Sequence, residues 1–156
     1  MNRHSVLLMA ALMLAGCVPA GPPAGLPGAN APTQGRQSAV IADDRGGNVM
    51  AMIQRRNQLE RWGGPVEIRD YCGSACTLLI TLPNACLAPD ATVGFHAPRL
   101  PGTTIIPPYV DAIMGYYYRG GVLTRWNREW KHSLEIQRIT AAEYVRLDPQ
   151  TRVCES

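Results

Sequence analysis

One stretch limits what this chain can fold into: Asp70-Tyr71-Cys72-Gly73-Ser74-Ala75-Cys76, followed directly by Thr77-Leu78-Leu79-Ile80-Thr81-Leu82. The run from 77 to 82 carries no charge and has no polar face, so it must lie in an interior. Only the small residues Gly73, Ser74 and Ala75 join it to the extended segment before it. Such a join lets a strand turn sharply into a buried helix, here expected from Ala75 to Leu82, while one hydroxyl stays reachable. A turn of this kind suits a nucleophile in two ways. It exposes the oxygen, and it aims helix N-terminal N–H groups at any oxyanion formed beside it. On this stretch alone, Ser74 as a simple helix N-cap fits equally well.

The flanking sequence supplies strands and helices in alternation. Ala39-Val40-Ile41-Ala42 reads as a buried strand that ends in Asp43-Asp44-Arg45-Gly46-Gly47-Asn48. Paired glycines between a strand and a helix allow close backbone approach to a ligand and turn N–H groups outward. Val49 to Trp62 has Val49, Met52, Ile53 and Leu59 at helical spacing, with Arg55, Arg56, Glu60 and Arg61 off that stripe. Gly63-Gly64-Pro65 stops the helix. Val66-Glu67-Ile68-Arg69-Asp70 alternates as a strand does. A strand over Ala85–Ala88 and an extended segment from Ala91 follow, the latter carrying His96 at its end before Pro98. Leu100 to Pro108 reads as a loop and Tyr109 to Tyr118 as a helix broken by Gly120-Gly121. Leu123 to Trp130, aromatic and basic, reads as a further helix or an interaction surface. Thr140 and Glu143 form a capping box for a short last helix. This succession gives an α/β class, with helices stacked on a small sheet.

The N-terminus tells of export. Arg3 and His4 precede an apolar run, Val6 to Ala15, that is too short to span a bilayer and ends in Leu14-Ala15-Gly16-Cys17. Those four residues resemble a bacterial lipobox, which implies lipidation at Cys17 and cleavage before it, leaving 1–16 as a signal peptide. Val18 rather than Asp after Cys17 leans towards the outer membrane, by the same resemblance. Residues 17–37 are Pro, Gly and Ala with almost no charge, and read as a tether. The folded part is then 38–156, enough for one modest core.

Cys72, Cys76, Cys86 and Cys154 remain after Cys17. An even count in an exported chain reads as disulfides, and the sequence leaves all three pairings open. Zinc would need a second Cys/His pair at matching spacing, which is absent, so no metal and no other cofactor is expected. Once Arg3 leaves with the signal, 14 basic residues face 12 acidic ones. No basic stripe with interleaved aromatics appears, which argues against nucleic acid.

In order, Asp44-Arg45-Gly46-Gly47-Asn48-Val49, Cys72-Gly73-Ser74-Ala75-Cys76 and Gly94-Phe95-His96-Ala97-Pro98 resemble the Clp-type serine peptidase and crotonase superfamily, and more closely its exported bacterial members. Ser74 lies 28 residues after Gly46, and His96 lies 22 after Ser74, close to the family's separation. The resemblance implies stacked strand-helix units around a small sheet. It implies Ser74 as nucleophile, His96 as general base, and an oxyanion hole from Gly46 or Gly47 with Ala75. The family's acid would fall near Ile136, where Glu135 is the nearby carboxylate. The function implied is a lipid-anchored serine hydrolase facing the periplasm, a peptidase acting on peptide or protein substrates, with a homo-oligomer left open. The alternative is a non-catalytic lipoprotein on the same scaffold that binds an envelope protein through Tyr116 to Trp130.

Overall fold

The computed structural model describes residues 37–155. The expected signal, Cys17 and all but the last residue of the tether lie outside them. Strand β1 (Ala39–Asp44) leads through the Gly-Gly loop into α1 (Val49–Trp62), and β2 (Val66–Gly73) follows. A 3-10 turn, Ser74–Cys76, enters the short α2 (Thr77–Ile80). Then come β3 (Ala85–Leu87), β4 (Thr92–Phe95), α3 (Val110–Gly115) and α4 (Gly120–Arg128). A second 3-10 turn at Trp130–His132 precedes β5 (Gln137–Thr140), α5 (Ala141–Leu147) and β6 (Arg152–Val153). The expected mixed α/β class is what forms.

Among the described residues six strands make one sheet, and β2 is its hub. Strand β1 pairs in parallel along β2 from Val66 to Cys72, β3 pairs in parallel with the first half of β2, and β4 pairs in parallel with its last residues. Between these halves Asp70 takes a left-handed φ of 55°, a conformation that Asp tolerates better than most residues. This marks a bend in the hub strand. Where β2 meets β4, Gly73 sits opposite Gly94, and the Tyr71 ring occupies the space that side chains there would fill. Arg138 lies over that ring, its guanidinium 4.9 Å from the centroid.

The uncharged run after Ser74 is interior, as its composition requires: Leu78, Leu79 and Ile80 are buried. It is not one helix to Leu82, because the turn at 74–76 is 3-10 and α2 ends at Ile80. Asn48 caps α1 by accepting from the Ala51 N–H, and left-handed Gly63 closes its other end on the Leu59 carbonyl. An aromatic cluster fills the far side of the core. Phe95 stacks on Trp130 at 4.1 Å and meets Tyr118 edge-on at 5.6 Å, while Tyr118 meets Trp126 at 5.1 Å. Tyr118, Trp126 and Trp130 are therefore core residues; of that segment Tyr116, at 85%, Thr124, Asn127, Arg128 and Glu129 stay exposed. No helix among the described residues is long and apolar enough to cross a membrane.

Further features differ from the sequence reading. Strand β5, antiparallel to β4, and the two-residue β6, parallel to β3, lack enough alternating residues to be read by pattern. Gly120-Gly121 opens α4 instead of breaking a helix. Gly120 has φ of 52°, and a Cβ there would lie 2.6 Å from the Leu147 carbonyl oxygen, so α4 approaches the end of α5 where only glycine fits.

The cysteines pair as Cys72–Cys76 and Cys86–Cys154. The second bond closes 68 residues and fastens β6 to β3. Loops of that length gain most from closure, typically about 2–4 kcal/mol. The paired variant Cys86→Ser/Cys154→Ser should lose that much in a urea melt, and an unchanged midpoint would contradict the assignment.

Candidate functional site

The site is built at the ends of β1, β2 and β4. Strand β1 shifts register between Ala42 and Asp44, with Asp43 at φ 48°, and this bulge brings Asp44 opposite Cys72. The Asp44 carboxylate accepts the Gly46 N–H at 2.8 Å and pairs with Arg55 at 2.7 Å, so it holds the loop in shape. The two glycines then differ. Gly46, at φ 81°, lies against the serine turn: a Cβ there would meet Ala75 N at 2.6 Å, Gly73 O at 2.7 Å and Ser74 Cβ at 2.9 Å. Gly47, at φ 127°, has open space where its Cβ would be.

Gly46→Ala combines a forbidden contact with a disfavoured φ. It should destabilise the domain by more than about 1 kcal/mol. It should also displace the serine turn, and a variant with parental melting temperature would contradict this packing. The Gly46 N–H is already spent on Asp44, whereas among the described residues the Gly47 N–H makes no hydrogen bond. Ala75 is fully buried, and Gly46 covers its N–H.

Ser74 itself has φ of 55°, the left-handed conformation that a sharp strand-to-helix turn imposes. It is not an N-cap: Gly73 occupies that position and no side chain caps the turn. Among the described residues the Ser74 hydroxyl makes no hydrogen bond. The turn is held from both sides. Cys72 and Cys76 are joined across it. The Thr77 hydroxyl donates to the Ser74 carbonyl at 2.7 Å, so the Tyr118 hydroxyl, 2.7 Å from Thr77 Oγ1, must donate to Thr77 in turn. Burial raises the Tyr118 phenol well above its ordinary range and keeps that proton in place.

His96 follows the last residue of β4 and is half-buried. Its Nδ1 lies 2.7 Å from the Ala97 carbonyl oxygen. A carbonyl only accepts, so in the neutral ring Nδ1 carries the proton and the lone pair falls on Nε2. The Ala97 N–H donates to the Ser133 carbonyl at 2.6 Å, fixing the histidine's backbone to the segment before β5. Glu135 lies on that segment but is exposed. Among the described residues its carboxylate makes no hydrogen bond or ion pair, and only its backbone is engaged, the N–H donating to Ser133 Oγ and the carbonyl accepting from it. A backbone carbonyl, not Glu135, orients the ring.

Ser74, His96 and Gly47 all line one cavity of about 450 Å3, a size that suits a small ligand or a peptide side chain. Its remaining walls are Arg45 and Asn48 of the loop, Val49 and Met50 at the start of α1, the segment Pro98 to Gly102, and Pro107, Val110 and Ile113. Sequence reasoning named the glycine loop, the serine and the histidine, but missed this outer wall and Arg99 within it. The available signal was the Pro98-Arg99-Leu100-Pro101 run directly after His96. No protein-family model and no curated protein matches this sequence.

Proposed function

We propose that this chain is a serine hydrolase of Clp/crotonase-like type, a peptidase of the bacterial envelope held to the outer membrane by lipid on Cys17. The observation that carries the proposal is the left-handed Ser74 sharing a cavity with His96, the Ser74 hydroxyl and the His96 Nε2 making no hydrogen bond among the described residues. A serine hydroxyl is a weak nucleophile until a base takes its proton. Here Nε2 of His96 takes it as Ser74 Oγ attacks the substrate carbonyl. The resulting oxyanion receives the Gly47 N–H, a contribution that is typically about 3 kcal/mol per donor. Ala75 N–H becomes the second donor once the loop at Gly46 yields to the bound carbonyl. When the tetrahedral species collapses, His96 returns the proton to the leaving amine or alkoxide. Water, activated by the same Nε2, then releases the acyl group and restores Ser74.

The Ala97 carbonyl does here what an aspartate does in a triad, holding one tautomer of the base, though without a negative charge to stabilise the imidazolium. A rate below that of triad enzymes follows. The test is hydrolysis of an activated ester by the full chain, which must require both Ser74 and His96. Anchoring is tested apart from chemistry. Cys17→Ser should lose membrane association or remain unprocessed, and a processed, membrane-bound Cys17→Ser protein would contradict the lipid anchor.

A further inference from the structure

We propose that the cavity selects acyl groups that pair an apolar chain with a terminal carboxylate, and that Arg45 and Arg99 receive the carboxylate. The proposal rests on the hydrolase reading above and names its substrate class. Arg45 precedes the glycine pair and Arg99 follows the histidine segment, and both line the cavity that holds Ser74. Both are exposed, and among the described residues neither guanidinium has an ion pair or hydrogen bond within the protein. That is unusual beside acidic residues as near as Asp43 and Asp44. Asp44, however, is committed to Gly46 and Arg55. Among the described residues no carboxylate lines the cavity, so the formal charge of its lining is positive.

The start of α1 adds to that field. Asn48, Val49 and Met50 line the cavity, so the positive end of the helix faces it, and no acidic residue lies in the first turn. Against these charges stands a hydrocarbon wall of Leu100, Pro107, Val110 and Ile113. Leu100 and Ile113 remain partly exposed, surface that a bound apolar chain would cover. A guanidinium fork matches a carboxylate in two hydrogen bonds, so two free forks beside an apolar wall discriminate for a chain ending in that group.

The experiment compares two p-nitrophenyl esters of equal chain length on the full chain: the hexanoate and the monoester of adipic acid. In parallel, binding of hexanamide and of adipic acid monoamide is measured by calorimetry, since neither amide needs turnover. The parent should favour the adipic ester at least tenfold in kcat/KM and bind the adipic amide at least tenfold more tightly. Both ratios should fall within twofold of unity in Arg45→Gln/Arg99→Gln, and should shrink as salt rises from 0.1 M to 1 M and the screening length drops from about 10 Å to about 3 Å. Equal treatment of the two esters overturns the inference and leaves the hydrolase standing. So does a preference that survives in the double variant. If neither ester is cleaved, the hydrolase reading fails and the amides decide: a carboxylate preference that needs the arginines sustains the site as a binding site, and none overturns it.

Discussion

Arg119→Met is expected to cost the domain about 3–5 kcal/mol, and Asp148→Asn, across the same ion pair, less than about 2 kcal/mol. The two side chains meet at 3.0 and 2.7 Å through Nε and one terminal nitrogen of the arginine. Their surroundings are unequal. The Asp148 side chain is 2% exposed, that of Arg119 28%. Without Arg119, a carboxylate stays buried with only the Thr151 hydroxyl at 2.9 Å and the Gln150 N–H at 3.3 Å to replace water. Without the carboxylate charge, Arg119 still reaches solvent and still donates to the Thr81 carbonyl at 3.2 Å. The clasp joins the end of α2, the start of α4 and the end of α5, so its loss loosens three elements that pack behind the serine turn. At about 4 °C per kcal/mol for a domain of this size, Arg119→Met should melt roughly 12–20 °C lower. Equal costs for the two variants would contradict the burial asymmetry.

Ser74→Ala is expected to lower ester hydrolysis by at least about a thousandfold, and His96→Gln by a comparable factor. Alanine removes one oxygen that makes no hydrogen bond among the described residues, so the melting temperature should stay near the parent's. Glutamine cannot take the Ser74 proton. Because the two residues act on one proton, their losses should not multiply: the double variant should be no slower than the slower single variant. Multiplying losses would mean two separate contributions and would contradict a shared proton transfer. Glu135→Gln should leave kcat/KM within about twofold, since the Ala97 carbonyl already orients His96.

What could be read in advance follows from how local each feature is. The glycine loop, the serine turn and the end of β4 are short segments whose residue types carry their own geometry, and they assemble at neighbouring strand ends. Helix α1 was legible because 14 residues carry four turns of pattern. The orienting group for His96 was not legible, because a backbone carbonyl has no residue type. Nor was the division of labour between Gly46 and Gly47, which depends on Asp44 taking the first N–H after a register shift. The aromatic segment from Tyr116 to Trp130 was ambiguous for a different reason. Trp126 and Trp130 sit among Arg125, Arg128 and Lys131, and only the packing of Phe95 on Trp130 and of Tyr118 on Trp126 turns a surface-like composition into core.

The central claim is that Ser74 is a nucleophile activated by its site, and a fluorophosphonate probe tests it most directly. Incubated with the folded full chain and followed by peptide mass spectrometry, the probe should leave one phosphonyl group, on the peptide containing Ser74. The adduct should be missing from heat-denatured protein and from His96→Gln. No adduct on the folded parent, or equal labelling after denaturation, would contradict the account.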